Sequence, residues 1–242
     1  MRRSERPFLQ VPLPILLGFI SIFIVQVFVH QSFQSDRDVE YKPLAKPLSP
    51  GIYQGFSMGS YQLASYLLTM RLQLHDNQAG RHVAYEALNY PLLIEWLVLL
   101  GDLNIESEYP MMLASRVYSQ TRDKKQLKLL LGYIDKTFKK NPQKHWRRQA
   151  EATVIAKHQL GDKTLALTMA KSLTEQPEEI LMPRWARDMQ FLLLGDLNEF
   201  ESAIALIQAL LQSGSIVDPD EHRFLQEKLL LFQQNLSEYQ QN

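Results

Sequence analysis

The sequence predicts an all-α protein in which one apolar helix near the N terminus precedes a stack of antiparallel helical hairpins. Three observations predict it. Residues 11–29 form an uncharged apolar run, apolar residues recur at the 3.6-residue period over most of the chain beyond residue 59, and no segment sustains an alternation of apolar and polar residues.

The apolar run reads VPLPILLGFISIFIVQVFV, with Gln26 its one strongly polar side chain, close to the roughly 20 residues a helix needs to cross a bilayer. Pro12 and Pro14 stand at its start, where the missing amide donors are not needed. A cleaved signal peptide is the main rival; the run exceeds a usual signal core, and no pair of small residues follows it. Arg2, Arg3 and Arg6 precede the segment, whereas Asp36, Asp38 and Glu40 follow it with Arg37 between them. The positive-inside rule then places a short tail, residues 1–10, in the cytoplasm, an anchor at 11–30, and the rest on the far side, which in a bacterium is the periplasm beyond the inner membrane.

Residues 31–58 carry Pro43, Pro47, Pro50, Gly51 and Gly55, too dense in breakers for regular structure, and read as a spacer. The remaining segment, 59–242, is one domain of ordinary size. Leu127, Leu130, Leu131, Ile134 and Phe138 draw its clearest helical stripe, and Phe200, Ala203, Ile204, Ile207 and Leu211 repeat the spacing. Leu63, Leu67, Met70 and Leu74, and later Leu225, Leu229, Phe232 and Leu236, draw narrower stripes. Asn141-Pro142 and Asp218-Pro219 each place a capping side chain before a proline, Asn198 with Glu201 resembles a capping box, and Tyr90-Pro91 and Tyr109-Pro110 read as helix starts. About nine or ten helices are expected after Gly59, joined by loops short enough to force antiparallel hairpins.

Leu160-Gly161-Asp162 recurs as Leu194-Gly195-Asp196, an offset of 34 residues that also superposes Ala166 on Phe200, Met169 on Ala203, Ala170 on Ile204 and Leu173 on Ile207. The hexapeptide Leu-Leu-Gly-Asp-Leu-Asn at 99–104 is repeated at 193–198. In this reading the glycine ends a first helix in the left-handed conformation and the next residues begin its partner. The period and the turn resemble the tetratricopeptide repeat, over residues 143–213 and more loosely over 60–140. Gly161 and Ala166 match that family's turn glycine and small residue; Phe200 and Lys157 depart from its pattern, and Trp96-x-x-Leu99 echoes its opening motif. The resemblance implies a right-handed superhelix of hairpins that binds peptides or partner proteins, and it carries over no binding residues. Trp96, Tyr109-Pro110 and Ser115-Arg116-Val117-Tyr118 are also similar to uncharacterised membrane-anchored proteobacterial proteins, a similarity that brings no activity with it.

Lysine plus arginine and aspartate plus glutamate total 26 each, so no global field selects nucleic acid. The lack of cysteine removes disulfides, thiolate nucleophiles and cysteine-ligated metals. His75 and His82 could share a helix face, but Asn77 to Gly80 breaks the helix between them, and no His-Glu-x-x-His, Gly-x-Ser-x-Gly or phosphate-cradling loop exists. His158, among Ile155, Ala156 and Leu160, reads as a hydrogen-bonded interhelical histidine, and Trp96, Trp146 and Trp185 as core. No catalytic, cofactor or metal site is therefore expected.

One local feature stands out. Between Lys124 and Arg148 nine cations face the single acid Asp135, a net of +8, whereas from Glu175 to Asn242 the net is −8. A solvated face is one explanation; the other is a docking surface made of Lys136, Lys139, Lys140, Lys144, Arg147 and Arg148. The expectation is a membrane-anchored, non-enzymatic scaffold for an envelope protein partner. An anionic lipid or polymer binder acting through residues 124–148, and an auxiliary subunit of a membrane enzyme, are the alternatives.

Overall fold

The structure, a computed structural model, describes residues 12–33, 43–78, 81–177, 179–214, 216 and 218–241. The cationic tail, the acids Asp36, Asp38 and Glu40, and residues 34–42 of the expected spacer lie outside the described residues. The chain divides into two compact units, one holding helix α1 and the other running over Leu44–Gln78 and His82–Asn242.

Helix α1 (Leu13–Phe33) has 21 residues and spans about 30 Å at 1.5 Å per residue. The amides of Ile15 and Leu16 donate to the Pro12 carbonyl, so the prolines open the helix as expected. Over Leu13–Gln31 the mean hydropathy is 2.3 with nothing buried inside the protein, which makes α1 long and apolar enough to cross a membrane.

Among the described residues from Leu44 onward the regular structure is helical apart from a two-residue ladder that pairs Asn77–Gln78 with Arg81–His82. The α-helices of the second unit are α2 (Pro50–Phe56), α3 (Tyr61–Asp76), α4 (Tyr90–Leu103), α5 (Tyr109–Met112), α6 (Lys124–Lys140), α7 (Pro142–Ile155), α8 (Lys163–Thr174), α9 (Arg184–Asp196), α10 (Phe200–Gln212) and α11 (Pro219–Gln241). From α6 to α11 each helix packs on its neighbour in the chain, the pattern that short loops between hairpins dictate. Short π-helical turns, Leu113–Val117 and Ala156–Leu160, extend α5 and α7.

The spacer expected over 31–58 is folded from Leu44 onward. Trp96 on α4 is buried, its indole N–H donates to the Ala45 carbonyl at 2.8 Å, and its ring meets Tyr53 of α2 at 6.1 Å. Pro50 sits at the first position of α2, where a proline costs no hydrogen bond, so breaker density concealed a helix start.

The α6 stripe is wholly buried, and the α10 and α11 stripes pack on each other through Phe200, Ala203, Ile207, Leu225 and Phe232. The stripe of α3 is the reverse of a core face: Leu63, Leu67, Met70 and Leu74 are all exposed, and Ala64, Leu68 and Leu72 face inward instead. Trp185 is also exposed, edge-on to the half-buried Trp146 at 5.8 Å. His158 is on the surface.

Helix starts follow local chemistry. Asn89, Asp123, Asn141 and Asp162 each accept a first-turn amide at the starts of α4, α6, α7 and α8. Asp218 accepts from the Asp220 amide, and Glu221 pairs with Arg184 at 3.2 Å. Asn198 does not cap α10: it takes φ 61 and Glu199 precedes the helix.

The repeated glycines do three different things. Gly161 ends its helix in the left-handed conformation, φ 73, and Asp162 caps α8. Gly101 lies inside α4 with open space around it. Gly195 lies inside α9 against the ring of Phe232, which occupies the place of a Cβ.

Candidate functional site

The turn at Asn141 brings the end of α6 to the start of α7, as the Asn-Pro pair requires. The Asn141 amide donates to the Phe138 carbonyl at 3.0 Å, and its side chain accepts from the Lys144 amide at 3.3 Å. Of the six cations expected to form one face, Lys136 and Lys140 are exposed, and Lys139 pairs with Asp135 at 2.6 Å. Lys144 donates to the Ile105 carbonyl, and Arg147 lies over the Trp146 ring at 5.1 Å.

Arg148 departs from the expectation and is buried. Its guanidinium donates to both oxygens of Glu151 at 2.9 and 2.7 Å. Glu151 also accepts from Ser115 at 2.7 Å and from Arg116 at 3.0 and 2.6 Å. Burial alone would raise the Glu151 carboxyl, but hydrogen bonds from Arg116, Ser115 and Arg148 outweigh it and hold it below the usual carboxylate range. This clamp ties α7 to the turn after α5.

Beside the Asn141 turn, α4, α6 and α7 enclose a cleft of about 260 Å³ lined by Asp102, Ser107, Tyr133, Lys140, Asn141 and His145. His145 is buried, and burial followed by the charge of Lys144 lowers its pKa, so the ring is neutral near pH 7. Its Nδ1 has no hydrogen-bond partner among the described residues, an unsatisfied buried polar atom on the cleft wall. Burial pushes the Tyr133 phenol well up, so it stays a neutral donor. Asp102 and Lys140 supply one charge of each sign, which suits the cleft to pairing with a short polar or charged segment.

The N-terminal half of the basic segment belongs to a second place. Lys124, Lys125, Lys128 and Lys163 surround the Gly161 turn in an open depression of about 520 Å³, where Lys128 pairs with Asp162 at 3.1 Å. Since α6 is about 25 Å long, its two ends form separate basic clusters. In the acidic half, burial and then the charge of Glu221 raise the Asp188 carboxyl to about 7, with Arg184 opposing them.

Among the described residues no three His, Asp or Glu side chains converge as metal ligands, and α3 ends at Asp76, between His75 and His82. Of the cleft residues, Lys140 is among the six expected docking cations and Asn141 is an expected cap, whereas the sequence marks none of Asp102, Ser107, Tyr133 and His145 as site residues. Asp102, Tyr133 and His145 come from three helices and share no spacing, so only the fold unites them. Comparison with protein-family models, with curated proteins and with solved structures finds no match.

Proposed function

We propose that the chain is a membrane-anchored, non-enzymatic scaffold, a tetratricopeptide-like right-handed superhelix of hairpins that docks another envelope protein. In this reading α1 crosses the bacterial inner membrane, the N terminus is cytoplasmic and the helical domain is periplasmic. The observation that carries it is a 21-residue apolar helix followed by serially packed helical hairpins with an open, charge-bearing cleft at the Asn141 turn. Lys140 on the cleft wall, with Lys136 one turn away, suits an acidic segment of the partner. Anchoring raises the local concentration of both proteins, so modest cleft contacts suffice to hold a complex.

The test is charge reversal on the full chain. Lys136→Glu, Lys140→Glu and Arg147→Glu together should keep the helical content and lose partner recovery at low ionic strength. Retention of every partner would contradict docking at the cleft. A second reading, an anionic lipid or polymer held on the basic segment, draws on the four lysines around the Gly161 turn. Reversal of Lys124, Lys125 and Lys163 separates the two, because only that reading requires them.

A further inference from the structure

Helix α3 has two apolar faces. One is the core face of Ala64, Leu68 and Leu72, which packs toward α4. The other lies opposite it: Leu63, Tyr66, Leu67, Met70 and Leu74 fall within about 100° of arc at the helical period. All five are exposed, Leu67 by 54%, Met70 by 59% and Leu74 by 64%. A surface helix normally places charge there; between Tyr61 and Leu74 of α3 the one charged residue is Arg71 at the flank, beside the Trp96 ring.

Just before α3, Phe56 at the end of α2 is 84% exposed and Met58 in the following turn is 91% exposed. Their outward position is built into the backbone. The buried Ser57 hydroxyl donates to the Ser60 carbonyl at 2.7 Å and the Gly59 amide to the Gln54 carbonyl at 2.9 Å. Met58 itself holds a left-handed φ of 52, which few side-chain-bearing residues adopt. Large apolar side chains exposed this densely over α3 and the residues just before it are the mark of a covered surface.

Charge and chain length point to what covers it. From Pro43 to His75 there is no acidic residue, while Lys46 and Arg71 are cationic, a balance suited to anionic headgroups. The step from Phe33 to Leu44 reaches at most about 40 Å when fully extended, and α2 and α3 are the first α-helices after it. We infer that the outward face of α2 and α3 seats on the phospholipid surface, at the boundary of headgroups and acyl chains. The inference rests on the reading of α1 as a membrane anchor. The domain would then hold the bilayer twice, once through α1 and once through a helix lying flat with its polar side replaced by the protein core.

The absence of cysteine makes the test clean, since one introduced thiol carries one label. The full chain is reconstituted in vesicles of phosphatidylcholine and phosphatidylglycerol, with a fluorophore on Phe56→Cys, Met70→Cys, Val25→Cys in α1, or Leu129→Cys on the exposed side of α6. A lipid-borne spin quencher should remove most of the emission at positions 56 and 70, and aqueous iodide most of it at 129. Iodide quenching of 56 and 70 equal to that at 129 would overturn the inference. So would shielding of both from either quencher, which would assign the face to a second copy or another protein. Val25→Cys reports on the anchor alone: if iodide reaches it, the anchor reading fails whatever positions 56 and 70 show. Introducing Leu67→Asp with Met70→Asp should leave the circular dichroism unchanged and abolish lipid quenching at 56; persistence of that quenching would also overturn the inference.

Discussion

Helices α3 and α6 carry apolar stripes of nearly the same spacing and put them to opposite uses. On α6, Leu127, Leu130, Leu131, Ile134 and Phe138 are buried, and the far side of the helix is lysine-rich. On α3, Leu63, Leu67, Met70 and Leu74 face outward, while the weaker row of Ala64, Leu68 and Leu72 makes the core contact. A stripe therefore locates a face, and the polarity of the opposite side decides which way it points. α6 has one apolar side and a single solution; α3 has two, and the one that packs on α4 is flanked by the small buried side chains of Ser65 and Thr69.

The largest effect should separate the two stripes directly. Leu131→Asp puts an unpaired charge in a fully buried position and should cost about 4 kcal/mol or more, against a total stability of about 5 to 15. Leu67→Asp should change stability by no more than about 0.5 kcal/mol. Thermal unfolding of the full chain in detergent measures both, and equal losses would break the contrast.

The same logic sharpens the basic segment. Arg148→Glu removes the buried partner of Glu151 and sets two like charges together, so a loss of about 3 kcal/mol is expected in chemical unfolding. Its neighbour Arg147 only covers the Trp146 ring, and Arg147→Glu should cost less than about 1 kcal/mol.

A third contrast concerns pH. The Asp188 carboxyl is raised to about 7 in the folded protein from an ordinary value near 3.8. Between those values the folded state holds a proton that the unfolded state has released. The contribution of Asp188 to stability should therefore be greatest below about pH 4, fall as pH rises toward 7, and level off above it, while the depressed Glu151 carboxyl contributes in the opposite sense at acid pH. Asp188→Asn should remove that slope and raise stability at pH 8, a change readable as a melting temperature across a pH series.

The last contrast is among the repeated glycines. Gly195→Ala meets the Phe232 ring and should destabilise by about 1 to 3 kcal/mol. Gly161→Ala forces a left-handed alanine and should cost about 1 kcal/mol. Gly101→Ala, in a helix interior with open space, should gain about 0.5 to 1 kcal/mol. Three similar values would show the copies to be equivalent after all.

Local chemistry was legible in the sequence where a residue acts on its own backbone. Asn141-Pro142, Asp218-Pro219 and Tyr90-Pro91 marked helix starts because a cap and a proline each satisfy or remove an orphan amide, and nine α-helices follow Gly59 among the described residues. Outcomes set by distant partners were not legible. Phe232 decides the geometry around Gly195, Glu151 draws Arg148 inward, and Trp96 captures the segment at Ala45 that proline density marked as spacer. The cleft was hidden for the same reason, because its lining is assembled from α4, α6 and α7.

The contrast between α3 and α6 turns on the proposal that apolar surface left uncovered by the domain core, on α1 throughout and on α3 along one face, meets lipid, whereas the α6 stripe is buried in protein. Extraction of native membranes containing the full chain at alkaline pH tests it most directly, because only apolar insertion survives those conditions. The chain is predicted to stay in the pellet with residues 12–33 intact. Release into the supernatant, or a mature chain beginning near Gln31, would contradict the account.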